Sequence, residues 1–178
     1  GGRAYGRPQS FGGTFCTLYQ NQGDGKFLDV SEASGVRVTN ADTQVPAGKS
    51  LGLAFADFDD DGYLDVVVAN DTVGNFLLHN QKDGTFQEIG NVAGVAYDTN
   101  GNARGAMGID VAHFRNNDDI GIAIGNFSNE MTALYVSSGK GLHFRDDAVS
   151  NGLGPATRIE LKFGLFFFDA DLDGRLDL

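Results

Sequence analysis

The protein has 178 residues, of which 24 are acidic and 13 basic, for a formal net charge of −11 at pH 7. This length is sufficient for one domain with a hydrophobic core, and a hydrophobic content of 41% excludes a disordered acidic tail. The acidic balance argues against nucleic acid and anionic membranes as partners, because both require a basic surface. No apolar run reaches the roughly 18 residues that insertion into a membrane requires.

The first predicted element in chain order is a hairpin in residues 18–36, LYQNQGDGKFLDVSEASGV. It aligns without a gap with LLHNQKDGTFQEIGNVAGV at 77–95, and with one inserted residue with LYVSSGKGLHFRDDAVSNGL at 134–153. Each copy has a DG or KG turn between short apolar runs, which is typical of a β-hairpin.

A second repeated element alternates with the hairpins. GLAFADFDDDGYLDVVVAN at 52–70 aligns with GIDVAHFRNNDDIGIAIGN at 108–126, and GLFFFDADLDGRLDL at 164–178 begins a third copy. Each copy starts with a glycine, and these glycines are 56 residues apart. The chain therefore contains an internal repeat, whose period indicates a repeat architecture.

One full repeat corresponds to four short strands, predicted in the first complete unit at about 51–57, 64–69, 75–80 and 85–90. Glycine is abundant and no window has convincing helical periodicity, so we predict an all-β fold of antiparallel four-stranded β-propeller blades. The predicted units are an N-terminal segment with the outer half of a blade at residues 1–45 and a complete blade with an acidic loop at 46–104. They are followed by a complete blade with a degenerate loop at 105–160 and the first half of a further blade at 161–178. About three blades are too few to close a ring, so we expect a longer chain.

Two acidic loops follow the pattern D-x-D-x-D-G-x-x-D, DFDDDGYLD at 57–65 and DADLDGRLD at 169–177. We call them the first and the C-terminal acidic loop. Positions 1, 3, 5 and 9 offer carboxylates, position 7 a carbonyl, and glycine allows the turn that wraps an ion, an oxygen set that suits Ca²⁺. The candidate calcium ligands are Asp57, Asp59, Asp61, the carbonyl of Tyr63 and Asp65 in the first loop, and Asp169, Asp171, Asp173, the carbonyl of Arg175 and Asp177 in the C-terminal loop.

Alternatives to this calcium assignment are weaker. Mg²⁺ requires strict octahedral geometry, and Zn²⁺ prefers His or Cys ligands. An EF-hand requires a glutamate at position 12, where the first loop has Val68. An acidic turn that binds nothing remains open, and Asp60, at a non-ligand position, is expected to face solvent.

The aligned loop of the middle copy, residues 113–121, has lost the ligand pattern. It carries His113, Arg115, Asn117 and Gly121 at positions 1, 3, 5 and 9, and we predict no ion there. Arg115 reaching Asp118 or Asp119 is one hypothesis, and a loop held by turn hydrogen bonds alone is the interpretation we favour.

Other residues receive structural interpretations. The three histidines, at 79, 113 and 143, form no recognisable metal or base pairing, and we expect no catalytic constellation and no enzyme. Phe166–Phe168 are expected in the blade core. Asn70 and Asn126 begin glycosylation sequons at matching repeat positions, which a turn after the second strand explains more simply.

The segments DFDDDGYLDVVVAND, NFLLHNQKDGTFQEIGNVAGV and DADLDGRLDL resemble the FG-GAP/VCBS repeats of integrin-α-like propellers. GVAYDTNGNARGAMGIDVAHF and GNFSNEMTALY are similar to the ASPIC/UnbV subgroup, relatives of cartilage acidic protein. The resemblance extends from about Leu18 to Leu178. It implies a seven-bladed propeller, Ca²⁺ in loops joining the first two strands of a blade, and an extracellular, periplasmic or cell-surface location.

Three functions agree with these expectations. The first is a binding module for an unidentified protein or glycan ligand, in which Ca²⁺ is structural. The second is part of a carbohydrate-active enzyme such as a polysaccharide lyase, which would require a basic residue in a cleft. The third is a structural subunit that self-assembles through strand edges.

Overall fold

Antiparallel sheets make up most of the regular structure in the computed structural model, which describes residues 6–137 and 141–178. The ten strands within these described ranges are β1 (Tyr19–Asn21), β2 (Phe27–Asp29), β3 (Ser50–Ala56), β4 (Asp65–Asn70), β5 (Phe76–Asn80), β6 (Phe86–Glu88), β7 (Ala106–Ala112), β8 (Gly121–Asn126), β9 (Ala133–Ser137) and β10 (Phe144–Asp146).

Two four-stranded sheets have the same topology, in which each strand pairs with the next along the chain. Their orders are β3-β4-β5-β6 and β7-β8-β9-β10, and every pairing is antiparallel. This confirms the predicted all-β class and its blade-like four-stranded units. The four strands predicted for the first unit start within one residue of β3–β6. The number of blades in a closed ring stays a prediction.

The core lies between the two sheets. Both second strands, β4 and β8, are buried along most of their length, as expected for apolar β-branched runs covered on both faces. Val67 and Leu77 of the first sheet join Ile122 and Ile124 of the second in one buried cluster.

Glycines allow the first strand of a repeat to approach the beginning of the next repeat closely. A Cβ on Gly52 would lie 2.7 Å from the Met107 carbonyl oxygen, and one on Gly108 would lie 2.5 Å from the Phe163 carbonyl oxygen. The spacing of Gly52 and Gly108 therefore reflects backbone contact between successive repeats, whereas Gly164 has nothing within 4 Å of its Cβ position.

Two short α-helices in the described part of the chain were not predicted, α1 (Gly90–Ala93) and α2 (Leu153–Thr157). Each is about one turn long, too short to show helical periodicity in the sequence. Gly94 ends α1 in the left-handed conformation, with φ of 83°. Among the described residues, no helix has the length and apolar character needed to cross a membrane.

The prediction for Phe166–Phe168 is wrong for two of the three residues. Phe167 packs against a buried cluster and stacks on Phe114 at 5.7 Å between ring centroids. Phe166 and Phe168 are 61% and 47% exposed. Successive side chains of an extended segment point to opposite sides, so only the middle ring reaches the core.

Candidate metal centre

The first acidic loop connects β3 to β4, and its first carboxylate closes the loop. Asp57 Oδ1 accepts a hydrogen bond from the Asp61 N–H at 2.9 Å, and Oδ2 accepts one from the Gly62 N–H at 2.7 Å. Gly62 has φ of 88°, a conformation that costs glycine little. The turn therefore brings the side chains at positions 1, 3 and 5 to one side.

Carboxylate oxygens of Asp57, Asp59 and Asp61 lie within 4.8 Å of one another. Asp65, at position 9, is buried at the start of β4 and accepts hydrogen bonds from the N–H groups of Phe58 at 3.2 Å and Asn80 at 2.8 Å. The Tyr63 N–H donates to Asp61 Oδ1 at 2.9 Å. Three predicted carboxylates thus converge, and Asp65 lies near one of them, Asp59. The role of all four as ligands stays a prediction, as does that of the Tyr63 carbonyl.

Asp59 lies in an electrostatically unfavourable position in this loop. Its Oδ1 atom is buried and has no hydrogen-bond partner among the described residues. Burial, followed by repulsion from Asp61 and Asp65, raises the pKa of Asp59. An unpaired carboxylate oxygen among like charges is unfavourable unless a cation approaches it. The donor set therefore fits a hard divalent ion.

The hairpin formed by β5 and β6 places two further residues against this loop, and the sequence pattern predicted neither contact. His79 Nδ1 lies 3.0 Å from Asp65 Oδ1, and its Nε2 lies 3.9 Å from Asp59 Oδ2. Lys82 Nζ lies 2.9 Å from Asp61 Oδ2, and this contact lowers the pKa of Asp61. The expectation that the histidines have no pairing with a metal site is wrong for His79, which forms a potential ligand group with Asp59 and Asp65.

The C-terminal acidic loop repeats the hydrogen-bond pattern of the first. Asp169 accepts hydrogen bonds from the N–H groups of Asp173 at 3.0 Å and Gly174 at 2.9 Å, and Asp177 accepts one from the Ala170 N–H at 3.0 Å. Oxygens of Asp169, Asp171 and Asp177 lie within 4.8 Å of one another.

Asp173 lies outside that group of three. Its Oδ1 accepts the Arg175 N–H at 2.8 Å, and the Arg175 guanidinium is 3.8 Å from its Oδ2. The carboxylate of Asp173 and the carbonyl of Arg175 therefore remain candidate ligands by spacing alone.

Comparison with known families fits these loops and sheets. Two overlapping segments, residues 10–68 and 57–122, match the FG-GAP-like repeat, and together they span more than half of the chain. The chain belongs to the FG-GAP-like repeat family. No curated protein matches it. FG-GAP repeats are typical of extracellular proteins and often bind calcium.

The middle loop of this FG-GAP-like chain is held by ion pairs. Arg115 contacts Asp147 Oδ2 at 3.2 Å and Asp119 Oδ2 at 3.8 Å. The favoured interpretation, turn hydrogen bonds alone, is therefore wrong. The alternative, in which Arg115 reaches Asp118 or Asp119, is correct for Asp119. It missed Asp147, which lies just beyond β10 and 32 residues from Arg115 in sequence.

The remaining positions of the middle loop also lack the carboxylates of the acidic loops. Asn117 Nδ2 donates to Asp119 Oδ2 at 2.9 Å, and His113 is exposed. Gly121 replaces the buried aspartate at position 9, where a Cβ would lie 2.5 Å from the Phe114 ring. His113 belongs to no potential metal group of His, Cys, Asp and Glu side chains among the described residues.

Both sequon asparagines are buried at the ends of β4 and β8. Asn70 Nδ2 donates to the Gly74 carbonyl at 2.9 Å, and Asn126 Nδ2 donates to the Met131 carbonyl at 2.6 Å. These nitrogens would carry a glycan, so the folded FG-GAP-like repeats do not present them for modification. The turn explanation of this repeated asparagine agrees with the structure.

Proposed function

We propose that this protein is a calcium-stabilised β-propeller module that presents loops to a protein or glycan ligand outside the cytosol. The observation that carries the proposal is Asp59 Oδ1, a buried carboxylate oxygen that has no hydrogen-bond partner among the described residues and lies in a loop with three further candidate carboxylate ligands. The matching hydrogen-bond pattern of the C-terminal loop supports a second site.

Calcium would have a structural role in this proposal. Asp57, Asp59, Asp61 and Asp65 would hold it in the first loop, and Asp169, Asp171 and Asp177 in the C-terminal loop. The ion would supply positive charge where the carboxylates repel one another, fixing the connection between the first two strands of a blade. Extracellular sites of this type have dissociation constants of about 10⁻⁴–10⁻³ M, which suits millimolar calcium outside cells.

The finer assignments belong to the same proposal. We place the chain in the ASPIC/UnbV subgroup, in a seven-bladed ring, at an extracellular, periplasmic or cell-surface location. These rest on the quoted sequence segments and on the membership of the FG-GAP-like family.

A polysaccharide lyase is the less favoured alternative. A cleft between the first acidic loop and the middle loop does contain a basic residue, His113. The same cleft is lined by five aspartates, which would repel an anionic polysaccharide. They are Asp57, Asp59, Asp60, Asp118 and Asp119. A non-enzymatic binding role therefore remains our proposal.

The test is a calcium titration by calorimetry, with thermal melting followed in calcium and in chelator. We expect saturable binding and a higher melting temperature in calcium, because binding to the folded state adds about 2.7 kcal/mol at a hundredfold excess over the dissociation constant. An Asp59→Ala, Asp171→Ala double variant should lose both effects.

The matched control is Asp60→Asn, which removes the charge of an exposed carboxylate at a non-ligand position of the first loop, where the backbone is left-handed with φ of 60° and tolerates asparagine. It should retain saturable binding. Absence of binding in the unmodified chain, with the same melting temperature in chelator, would contradict the proposal.

A further inference from the structure

Position 82 differs between two copies of the hairpin that adopt the same turn. In the ungapped alignment of 18–36 with 77–95, Lys82 corresponds to Gly23. Both residues are left-handed, with φ of 67° for Lys82 and 84° for Gly23. Each N–H donates to the asparagine two residues earlier, at 2.9 Å and 2.8 Å. A left-handed backbone disfavours lysine but not glycine, so lysine is the costly choice here.

The side chain of Lys82 reaches the first acidic loop. Its Nζ atom lies 2.9 Å from Asp61 Oδ2 and 5.8 Å from the centre of the Tyr63 ring, while half of the side chain remains exposed. The ammonium group thus neutralises one of the carboxylates that would hold an ion.

The hairpin turn is fastened to this loop by further contacts. Asn80 donates its N–H to Asp65 Oδ1 at 2.8 Å and its side-chain amide to the Leu64 carbonyl at 3.1 Å. Lys82 follows two residues later, so its position over Asp61 is set by a fixed turn.

We propose that Lys82 is an internal counter-ion that competes with calcium for the first acidic loop. This inference rests on the proposed calcium binding. When the ion is absent, the ammonium group offsets the charge of Asp61, and binding of the ion requires the ammonium to withdraw toward solvent. The C-terminal loop differs, because its nearby cation, Arg175, is 80% exposed and 3.8 Å from Asp173.

The experiment measures calcium affinity of the first loop in a full-length Asp171→Ala background, which disables the C-terminal loop. Terbium is the probe, because Tyr63 belongs to the first acidic loop and the chain has no tryptophan. Calcium displaces terbium, and the loss of tyrosine-sensitised emission gives the calcium dissociation constant.

Removal of the ammonium should strengthen calcium binding about tenfold, because one positive charge near the divalent ion is lost. Lys82→Gly removes both the charge and the backbone strain, and Lys82→Met removes the charge alone. Both should bind more tightly. Lys82→Arg should retain the original affinity.

The control for overall charge is Lys26→Gly, which removes an equal charge from the earlier hairpin, where Lys26 pairs with Asp24. It should leave the affinity unchanged. Unchanged or weaker binding in Lys82→Met would overturn the inference, as would tightening in Lys82→Gly alone, which would assign the effect to backbone strain. Absence of calcium and terbium binding in the chain with both loops intact would instead overturn the proposed function.

Discussion

At the scale of single residues, Asp147 shows how the repeat without an ion pattern stabilises its loop. This buried carboxylate accepts a hydrogen bond from Arg145 Nε at 2.8 Å and one from Arg115 at 3.2 Å. Arg115 occupies position 3 of the middle loop, where the first acidic loop has Asp59. A guanidinium thus supplies positive charge to the loop in place of an ion.

The pairing of Asp147 predicts a pH-dependent contribution to stability. Hydrogen bonds from Arg145, and then from Arg115, lower the pKa of Asp147. A lowered pKa in the folded state stabilises the protein above the unfolded pKa of about 3.9, and this stabilisation is lost as pH falls through the folded value. We expect Asp147→Asn to cost about 2 kcal/mol at pH 7.

Chemical denaturation of both forms from pH 7 to pH 2.5 measures this contribution. The difference in the free energy of unfolding should shrink as the pH falls below about 4. Asp118→Asn, an exposed aspartate of the middle loop, is the control and should differ little at any pH. A difference that stays constant across the range would contradict the assigned ion pairs.

Local spacing made the loop aspartates predictable, whereas their partners come from another strand. Asp57, Asp59 and Asp61 lie within one turn, so the sequence pattern places them together. His79 reaches Asp65 because β4 and β5 pair with Val66 opposite Leu78, which puts the flanking residues 65 and 79 opposite each other. That register could be inferred from the alignment of the repeats. The contact of Lys82 with Asp61 also requires the left-handed turn at residue 82.

At the scale of elements, short apolar runs and turn residues were sufficient to predict β3–β6. The one-turn helices were not predicted because they are too short to show helical periodicity. The exposure of Phe166 and Phe168 was not predicted because it depends on which side of the segment a neighbour covers. The sequence shows the regular spacing of the repeated glycines. The structure gives a reason for Gly52 and Gly108, because a Cβ at either position would meet a backbone carbonyl oxygen of the following repeat.

Gly108→Ala should destabilise the protein by about 1–3 kcal/mol, because its Cβ would meet the Phe163 backbone and force that segment away from β7. The repeat-equivalent Gly164 has open space around its Cβ position and serves as the matched control. Gly164→Ala should change the free energy of unfolding by less than about 0.5 kcal/mol. Equal costs at the two positions in urea denaturation would contradict the close approach at Gly108.

At the scale of the whole molecule, equivalent apolar residues of successive repeats have different surroundings. Met107, Ile109 and Val111 of β7 are buried or partly buried. Residues 56 positions earlier, at 51, 53 and 55 of β3, are exposed, with Leu53 at 55%. The face of β7 that packs against the preceding sheet thus corresponds to the exposed face of β3.

This comparison predicts unequal costs for the same truncation in two repeats. Ile109 lies against Gly52, where a Cβ would be 3.0 Å from its Cγ2, so Ile109→Ala should lower the free energy of unfolding by about 2 kcal/mol. Leu53→Ala should cost less than about 0.5 kcal/mol in the 178-residue chain, because little contact is lost. Urea denaturation at low protein concentration gives both values.

A cost for Leu53→Ala as large as that for Ile109→Ala would mean that the β3 face is covered in solution. Sedimentation of the unmodified chain would then show self-association, and Leu53→Asp would weaken it.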